Sequence, residues 1–188
     1  MAASAHKFGG PRGVGLLLAR RSPAPSAVLH GGGQERGIRP GTLDVAGAAA
    51  TAAALREAVA ELDGEATRLR GLKKMLLDAI LHTIPNVLVH TTEPSLPGHL
   101  HLSFPGAEGD SLIMLLDSLR IEASTGSACS NGVNRASHVL LAMGISETDA
   151  RGAIRFTLGR TTTEESIKAV IAVIEDVVTR ARTAGMAF

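Results

Sequence analysis

The chain has 188 residues, 45% of them hydrophobic, which is enough for one ordinary domain or a small domain with part of a second. Nineteen basic and eighteen acidic residues give a formal net charge of +1, which excludes a strongly charged nucleic-acid binder. Four Phe and no Trp or Tyr leave too few stacking side chains for a single-stranded nucleic-acid binder, so no nucleic acid is expected as a partner.

Cysteine content and apolar runs indicate the compartment. Cys129 is the only cysteine, so an internal disulfide is excluded and a reducing, cytoplasmic location is expected. The longest apolar run in the helical part, residues 45–55, is too short to cross a membrane. The N-terminal residues lack Asp and Glu, as transit peptides do, but Pro11, Gly13 and Gly15 would interrupt the amphipathic helix of such a peptide.

The sequence of the first third of the chain predicts more loops than regular elements. Residues 4–11 have loop chemistry, residues 14–19 form an apolar run typical of a buried strand, and residues 23–41 are rich in Pro and Gly. Asp44 then predicts the N-cap of an alanine-rich helix that ends at Gly64. One face of that helix carries Leu55, Val59 and Leu62.

Regular elements follow. A second amphipathic helix begins near Glu65, with an apolar stripe made of Leu69, Leu72, Leu76 and Ile80. In residues 99–104, apolar and polar residues alternate, which predicts a half-buried strand with a polar outer face. We predict a helix over 110–119, a strand over 121–123 and a loop of small residues over 124–136.

The remaining elements complete an α/β pattern. A short helix over 137–143 ends at Gly144, Ser146 and Asp149 form a capping box, and residues 154–158 alternate as a strand. A second capping box, Thr162 with Glu165, predicts the start of a long C-terminal helix. Its apolar stripe is Ile167, Val170, Ile174 and Val177. Helices can therefore cover one face of a small sheet.

Three residues have side chains suited to chemistry. Lys7, next to His6 and a glycine pair, could present a nucleophilic amine to a carbonyl, although an exposed lysine is the simpler interpretation. Cys129 lies among small polar residues, where a thiol is accessible and needs a neighbouring base or cation to become thiolate. Arg155 is held by a strand and presents a planar fork that suits a carboxylate.

Two further features allow more than one interpretation. The glycine-rich residues 31–42 could approach a phosphate or simply connect two elements. His99 and His101 share one strand face and could bind a metal, but no third ligand is near in sequence, which favours a solvated strand face and no metal.

Taken in order, four segments resemble the pyridoxal-phosphate-dependent cysteine desulfurases of the aminotransferase class V group. They are residues 4–7 with Gly10 and Pro11, residues 30–42, residues 124–129 and residues 154–160. Pro40 stands where the family commonly has serine. The resemblance implies a fold-type I transferase, with a remnant of the large cofactor domain over 1–61 and the C-terminal small α/β domain over 62–188.

The resemblance also implies roles. Lys7 would bind pyridoxal 5'-phosphate covalently, Ser4 and His6 would lie beside it, and Thr42 would reach the cofactor phosphate of the partner subunit in a homodimer. Arg155 would bind the carboxylate of L-cysteine. Cys129 would take the substrate sulfur as a persulfide, which an iron-sulfur scaffold or sulfur-carrier protein then collects.

The resemblance covers only part of the family's architecture. In the family, most of the cofactor domain precedes the lysine, so we expect this chain to be the C-terminal portion and incomplete as an isolated enzyme. One alternative is a non-catalytic module that accepts sulfur or binds a scaffold protein. Activity on another amino acid is disfavoured by Cys129, whereas selenocysteine stays open as a substrate.

Overall fold

The computed structural model describes residues 1–22, 25–125 and 136–185, in an α/β arrangement as expected. The chain divides into two compact units, Met1–Asp63 and Gly64–Phe188. Each unit has its own sheet.

The first unit begins with a two-stranded antiparallel ribbon. Strand β1 (Ala2–Ser4) pairs with β2 (Gly15–Leu17), and a 3₁₀ turn, Ala5–Phe8, follows β1. The loop prediction for residues 4–11 is therefore wrong at this turn. The prediction of a buried strand is also wrong, because all of β2 is exposed and no element among the described residues covers its leucines.

Two helices follow the ribbon. Helix α1 (Val45–Ala60) begins at Asp44, whose Oδ1 accepts a hydrogen bond from the Gly47 amide over 2.9 Å, so the predicted N-cap is confirmed. Helix α2 (Leu62–Thr83) continues through Gly64, which therefore does not end a helix as predicted. A helix interior tolerates one glycine at about 1 kcal/mol, which the tertiary contacts of α2 outweigh.

The second unit is built on a three-stranded antiparallel sheet in the order β3–β4–β5. These strands are Leu88–Val89, His99–Ser103 and Ala153–Thr157. Along and just past the central strand β4, one face is fully buried by Leu100, Leu102 and Phe104. The opposite face is not the solvated surface that the alternation predicted, because Ser103 is also fully buried and His99 and His101 are half-buried.

Four more helices surround this sheet. They are α3 (Gly109–Ser118), α4 (His138–Ala142), α5 (Glu147–Arg151) and α6 (Glu164–Gly185). The stripes predicted for α2 and α6 lie in one core with the buried side of the sheet. This core includes Leu69, Leu76, Ile80, Leu112, Leu116, Ile167, Val170, Ile174 and Val177.

Of three local predictions in this unit, one is confirmed and two are wrong. Ser146 caps α5 by accepting from the Asp149 amide over 3.1 Å, as predicted. No strand forms over 121–123; only Ser124 makes an isolated bridge. The cap of α6 is Thr163, whose Oγ1 accepts from the amide of Ser166 over 3.2 Å.

Thr162 is not the cap because its hydroxyl is used elsewhere. Its Oγ1 accepts a hydrogen bond from the amide of Gly159 over 3.0 Å. That bond closes the turn between β5 and α6, so the predicted capping box with Glu165 is shifted by one residue.

Candidate functional site

Arg155 and His101 lie directly opposite each other on neighbouring strands β5 and β4. The amide and carbonyl of Arg155 both point away from β4, toward Ser124: its N–H donates to Ser124 O over 2.6 Å and its carbonyl accepts from Ser124 N over 3.2 Å. The pair Arg155–His101 is therefore a non-hydrogen-bonded pair of the ladder, the kind in which side chains come closest.

The bridge to Ser124 places the start of the cysteine segment beside Arg155. Ser124 and Thr125 are described, whereas Cys129 lies outside the described residues. The sequence-predicted thiol segment and the predicted carboxylate-binding arginine thus share one backbone contact.

Two nitrogens of the opposed pair are buried without a hydrogen bond. Among the described residues, neither His101 Nε2 nor Arg155 Nε has a partner. Buried polar nitrogens without a partner are rare in folded proteins because their lost hydration is not replaced. An acceptor that bonded both nitrogens would remove this cost.

A second histidine orients the first. The ring of His90 stands edge-on to that of His101, with centroids 5.4 Å apart, and its Nε2 lies 2.6 Å from Ser103 Oγ. The amide of His90 also donates to the carbonyl of His101 over 2.9 Å. These contacts fix His101 from the β3 side of the sheet.

Electrostatics keep this face free of imidazolium charge. Burial, followed by the nearby charges of His90 and Arg155, lowers the pKa of His101 to about 4. Burial is also the main cause that lowers the pKa of His90 and of His99. The face therefore carries neutral imidazoles beside the permanently charged guanidinium of Arg155.

Among the described residues, no three His, Cys, Asp or Glu side chains are grouped so that they could hold a metal ion. Sequence reasoning missed the role of His90 and the pairing of His101 with Arg155. The matched alternation of the two strands was the signal available, but register cannot be read from alternation alone.

The segment predicted to hold the cofactor is a tight turn in the first unit. His6 and Lys7 lie exposed on the 3₁₀ turn, and Ser4 ends β1. The amide of Gly10 donates to the carbonyl of Ala5 over 2.9 Å, and a Cβ at Gly10 would lie 2.9 Å from that of Ala5. Position 10 therefore requires glycine, because a side chain there would collide with Ala5 in the turn that carries Lys7.

Thr42 lies in the second loop of that unit. It is exposed and follows Gly41, whose φ of 105° is a conformation that favours glycine and whose amide donates to Gln34 Oε1 over 3.2 Å. Lys7, His6 and Thr42 thus offer an exposed primary amine, an imidazole and a hydroxyl, groups whose chemistry fits an aldehyde carrying a phosphate.

No helix among the described residues is long and apolar enough to span a bilayer.

Comparisons with known proteins agree on one family. Residues 1–170 match the model of the family described as aminotransferase class-V. The chain is 47% identical over its whole length to an IscS-like cysteine desulfurase of Mycobacterium tuberculosis, and 39% identical over 96% of its length to a cysteine desulfurase IscS of Dictyoglomus turgidum. It spans about half the length of these curated relatives, 48% and 46%.

Solved structures give the same result. A NifS-like protein matches 95% of this chain with a TM-score of 0.81 and 36% identity, over 46% of its own length. A NifS-like protein from Rickettsia africae matches 95% of this chain with a TM-score of 0.82 and 27% identity, over 47% of its length.

Proposed function

The chain belongs to the aminotransferase class V family, and we propose that it is the C-terminal part of a pyridoxal-phosphate-dependent cysteine desulfurase. The observation that carries the proposal is the backbone bridge between Arg155 and Ser124. It joins the residue that would bind the substrate carboxylate to the start of the segment that contains the only cysteine.

Arg155 would bind the carboxylate of L-cysteine. Its backbone is held by two hydrogen bonds to Ser124, and its neighbours Ile154 and Phe156 pair with β4. The planar guanidinium is itself a preorganised fork, so it loses less freedom per hydrogen bond to a carboxylate than a lysine would.

Lys7, Ser4, His6 and Thr42 would hold the cofactor. When bound, pyridoxal phosphate supplies the electron sink that weakens bonds to the substrate's α- and β-carbons. The amine of Lys7 would bind the cofactor and then move the proton between Nζ and the substrate carbon. Thr42 would contact the phosphate bound in the other subunit of a homodimer.

Cys129 would receive the sulfur. Its thiolate Sγ attacks the sulfur of the bound substrate, the bond between that sulfur and the β-carbon breaks, and the β-carbon takes a proton to give L-alanine. The product on the protein is a Cys129 persulfide, which an iron-sulfur scaffold or a sulfur carrier in the cytoplasm would accept. Selenocysteine stays an alternative substrate, for which selenium takes the place of the transferred sulfur.

The first unit exposes several large apolar side chains. Leu17, Leu18, Val28, Val45 and Val59 are each more than half exposed. We propose that the other half of the enzyme, with the remaining cofactor-binding groups, covers these side chains.

The test measures sulfide and L-alanine formed from L-cysteine and pyridoxal phosphate. We expect little turnover by the chain alone, and turnover when a polypeptide with the remaining half of the Mycobacterium tuberculosis relative is added. Cys129→Ser and Lys7→Ala should abolish sulfide release, whereas the matched control Lys74→Ala, on the exposed face of α2, should not.

Two results would contradict the proposal. Turnover by the chain alone at the rate of the complemented mixture would show that no second half is needed. If the complemented mixture binds the cofactor but releases no sulfide from L-cysteine, the proposed desulfurase function is wrong. Binding of a scaffold protein in that case, without cofactor, would favour the non-catalytic module.

A further inference from the structure

The register of β4 and β5 places an imidazole directly opposite Arg155. We propose that His101 binds the same substrate carboxylate as Arg155, with its Nε2–H donating a hydrogen bond to one carboxylate oxygen. This inference rests on the proposed function, since it takes the anion to be the carboxylate of the amino-acid substrate.

The ladder brings the two side chains together. His101 and Arg155 are register partners, and the bonds of Arg155 to Ser124 identify them as a non-hydrogen-bonded pair. In such pairs the Cβ atoms lie about 4.5–5.5 Å apart on the same face of the sheet. One carboxylate, with two oxygens, can therefore reach donors on both side chains.

Each side chain has an unused buried nitrogen. His101 Nε2 and Arg155 Nε lack a hydrogen-bond partner among the described residues. A carboxylate offers about four lone-pair sites and can accept from a guanidinium and an imidazole at once. Binding it would satisfy both nitrogens.

The ionisation of His101 is compatible with this role. Burial, with the charges of His90 and Arg155, lowers the pKa of His101 to about 4, so the ring is neutral near pH 7. A neutral ring carries one N–H and one lone pair, and the tautomer follows the partner. A carboxylate accepts only, so it selects the tautomer with hydrogen on Nε2.

The other histidines do not share this position. His90 Nε2 is already paired with Ser103 Oγ at 2.6 Å, and His99 lies opposite Thr157 rather than Arg155. The edge-on contact with His90 instead holds the ring of His101 in place. Of these three histidines, His101 is the one that lies opposite Arg155 and whose Nε2 has no partner among the described residues.

The test is an NMR titration of the ¹⁵N-labelled full chain with L-alanine at pH 7.5, with L-alaninamide as the ligand that lacks the carboxylate. We expect the resonances of His101 Nε2 and Arg155 Nε to shift together with one dissociation constant, and L-alaninamide to shift neither. His101→Phe keeps a ring against His90 and removes both nitrogens, and it should weaken L-alanine binding about tenfold.

Two variants complete the design. His101→Gln returns an N–H donor and should recover most of the affinity, which a purely structural role would not predict. His99→Phe changes the next position on the same face, opposite Thr157 rather than Arg155, and should bind L-alanine as the unaltered chain does. Should His101→Phe fail to fold, the shifts of the unaltered chain and the affinity of His101→Gln decide.

The outcomes separate the two proposals. A shift at Arg155 without one at His101, or unchanged affinity in a folded His101→Phe, overturns the role of His101 and leaves the desulfurase proposal standing. No shift at either residue overturns the shared site. Failure of the desulfurase proposal is measured separately, as absence of sulfide from a complemented, cofactor-loaded mixture.

Discussion

Leu158 and Gly98 bring the end of β5 against the start of β4. The Leu158 amide donates to the Gly98 carbonyl over 2.7 Å, and a Cβ on Gly98 would overlap the Leu158 carbonyl oxygen. This close approach closes the ladder just beyond the pair His99 and Thr157, and so supports the register that sets Arg155 opposite His101.

Gly98→Ala should therefore destabilise the protein by about 1–3 kcal/mol, because the backbone must shift to admit the methyl group. The measurement is urea unfolding monitored by circular dichroism. Gly64→Ala is the matched control: an added Cβ there meets nothing within 4 Å inside α2, and we expect stabilisation of about 0.4–1 kcal/mol. A Gly98→Ala protein as stable as the unaltered chain, or stabilised as much as Gly64→Ala, would contradict the close contact.

The cap of α1 makes a separate prediction. Asp44→Ala removes the side-chain acceptor for the Gly47 amide and should lower the free energy of unfolding by about 0.5–2 kcal/mol. Asp44→Asn keeps an acceptor oxygen and should behave like the unaltered chain. A loss as large in Asp44→Asn as in Asp44→Ala would mean that charge, rather than the cap, is what matters.

Arg182 links α6 to two loops. Its Nε donates to Pro105 O over 3.1 Å, and its Nη2 donates to Pro85 O over 2.8 Å and Asn86 O over 3.3 Å. Arg182→Met leaves those carbonyls without their donor and should lower the free energy of unfolding by about 1–2 kcal/mol. The thermal midpoint should fall by several degrees. Arg180→Met, which removes only an exposed ion pair with Asp176, should leave the midpoint unchanged.

Acid should destabilise the fold partly through His101. Its pKa is about 4 in the folded chain and about 6.5 in an unfolded one, so the unfolded chain binds more protons as the pH falls below about 6.5. The stability lost between pH 6.5 and 4 should be smaller in His101→Gln. Urea unfolding at pH 7.5 and 5.0 measures this difference.

His82→Gln, which removes an exposed imidazole near the end of α2, is the control for that experiment. It should retain the pH dependence of the unaltered chain. An unchanged pH dependence in His101→Gln would contradict the buried, neutral state of His101.

The sequence predicted elements best where a local rule suffices. Asp44 caps α1 as its side-chain chemistry requires, and the 3.6-residue stripe of α2 from Leu69 to Ile80 lies in the core. Gly64 was misinterpreted because one glycine is a weak signal against the contacts of a long helix. The strand in residues 14–19 was predicted correctly in type and wrongly in burial, since burial depends on distant elements.

The sequence identified Arg155 as a residue of the candidate site but not how the side chains around it are arranged. Arg155 was selected because a strand holds its fork, but the alternation of residues 99–104 could not show that His90 would cover the face of His101. Pairing between strands far apart in sequence depends on register, which a single strand does not encode. Lys7, Ser4, His6, Thr42 and Cys129 stay predictions that rest on the family resemblance.

The bridge between Ser124 and Arg155 also ties β5 to the start of the segment that contains Cys129. The chain is anchored at Ser124 by this bridge, and at Ala136 by packing against Leu140, Ala150 and Ala153. Both anchors depend on β5: Ser124 is bonded to Arg155, and Ala136 packs against the cluster that includes Ala153 at the start of that strand. A substitution that shifts β5 along β4 would therefore move both ends of the segment that contains Cys129 together with Arg155.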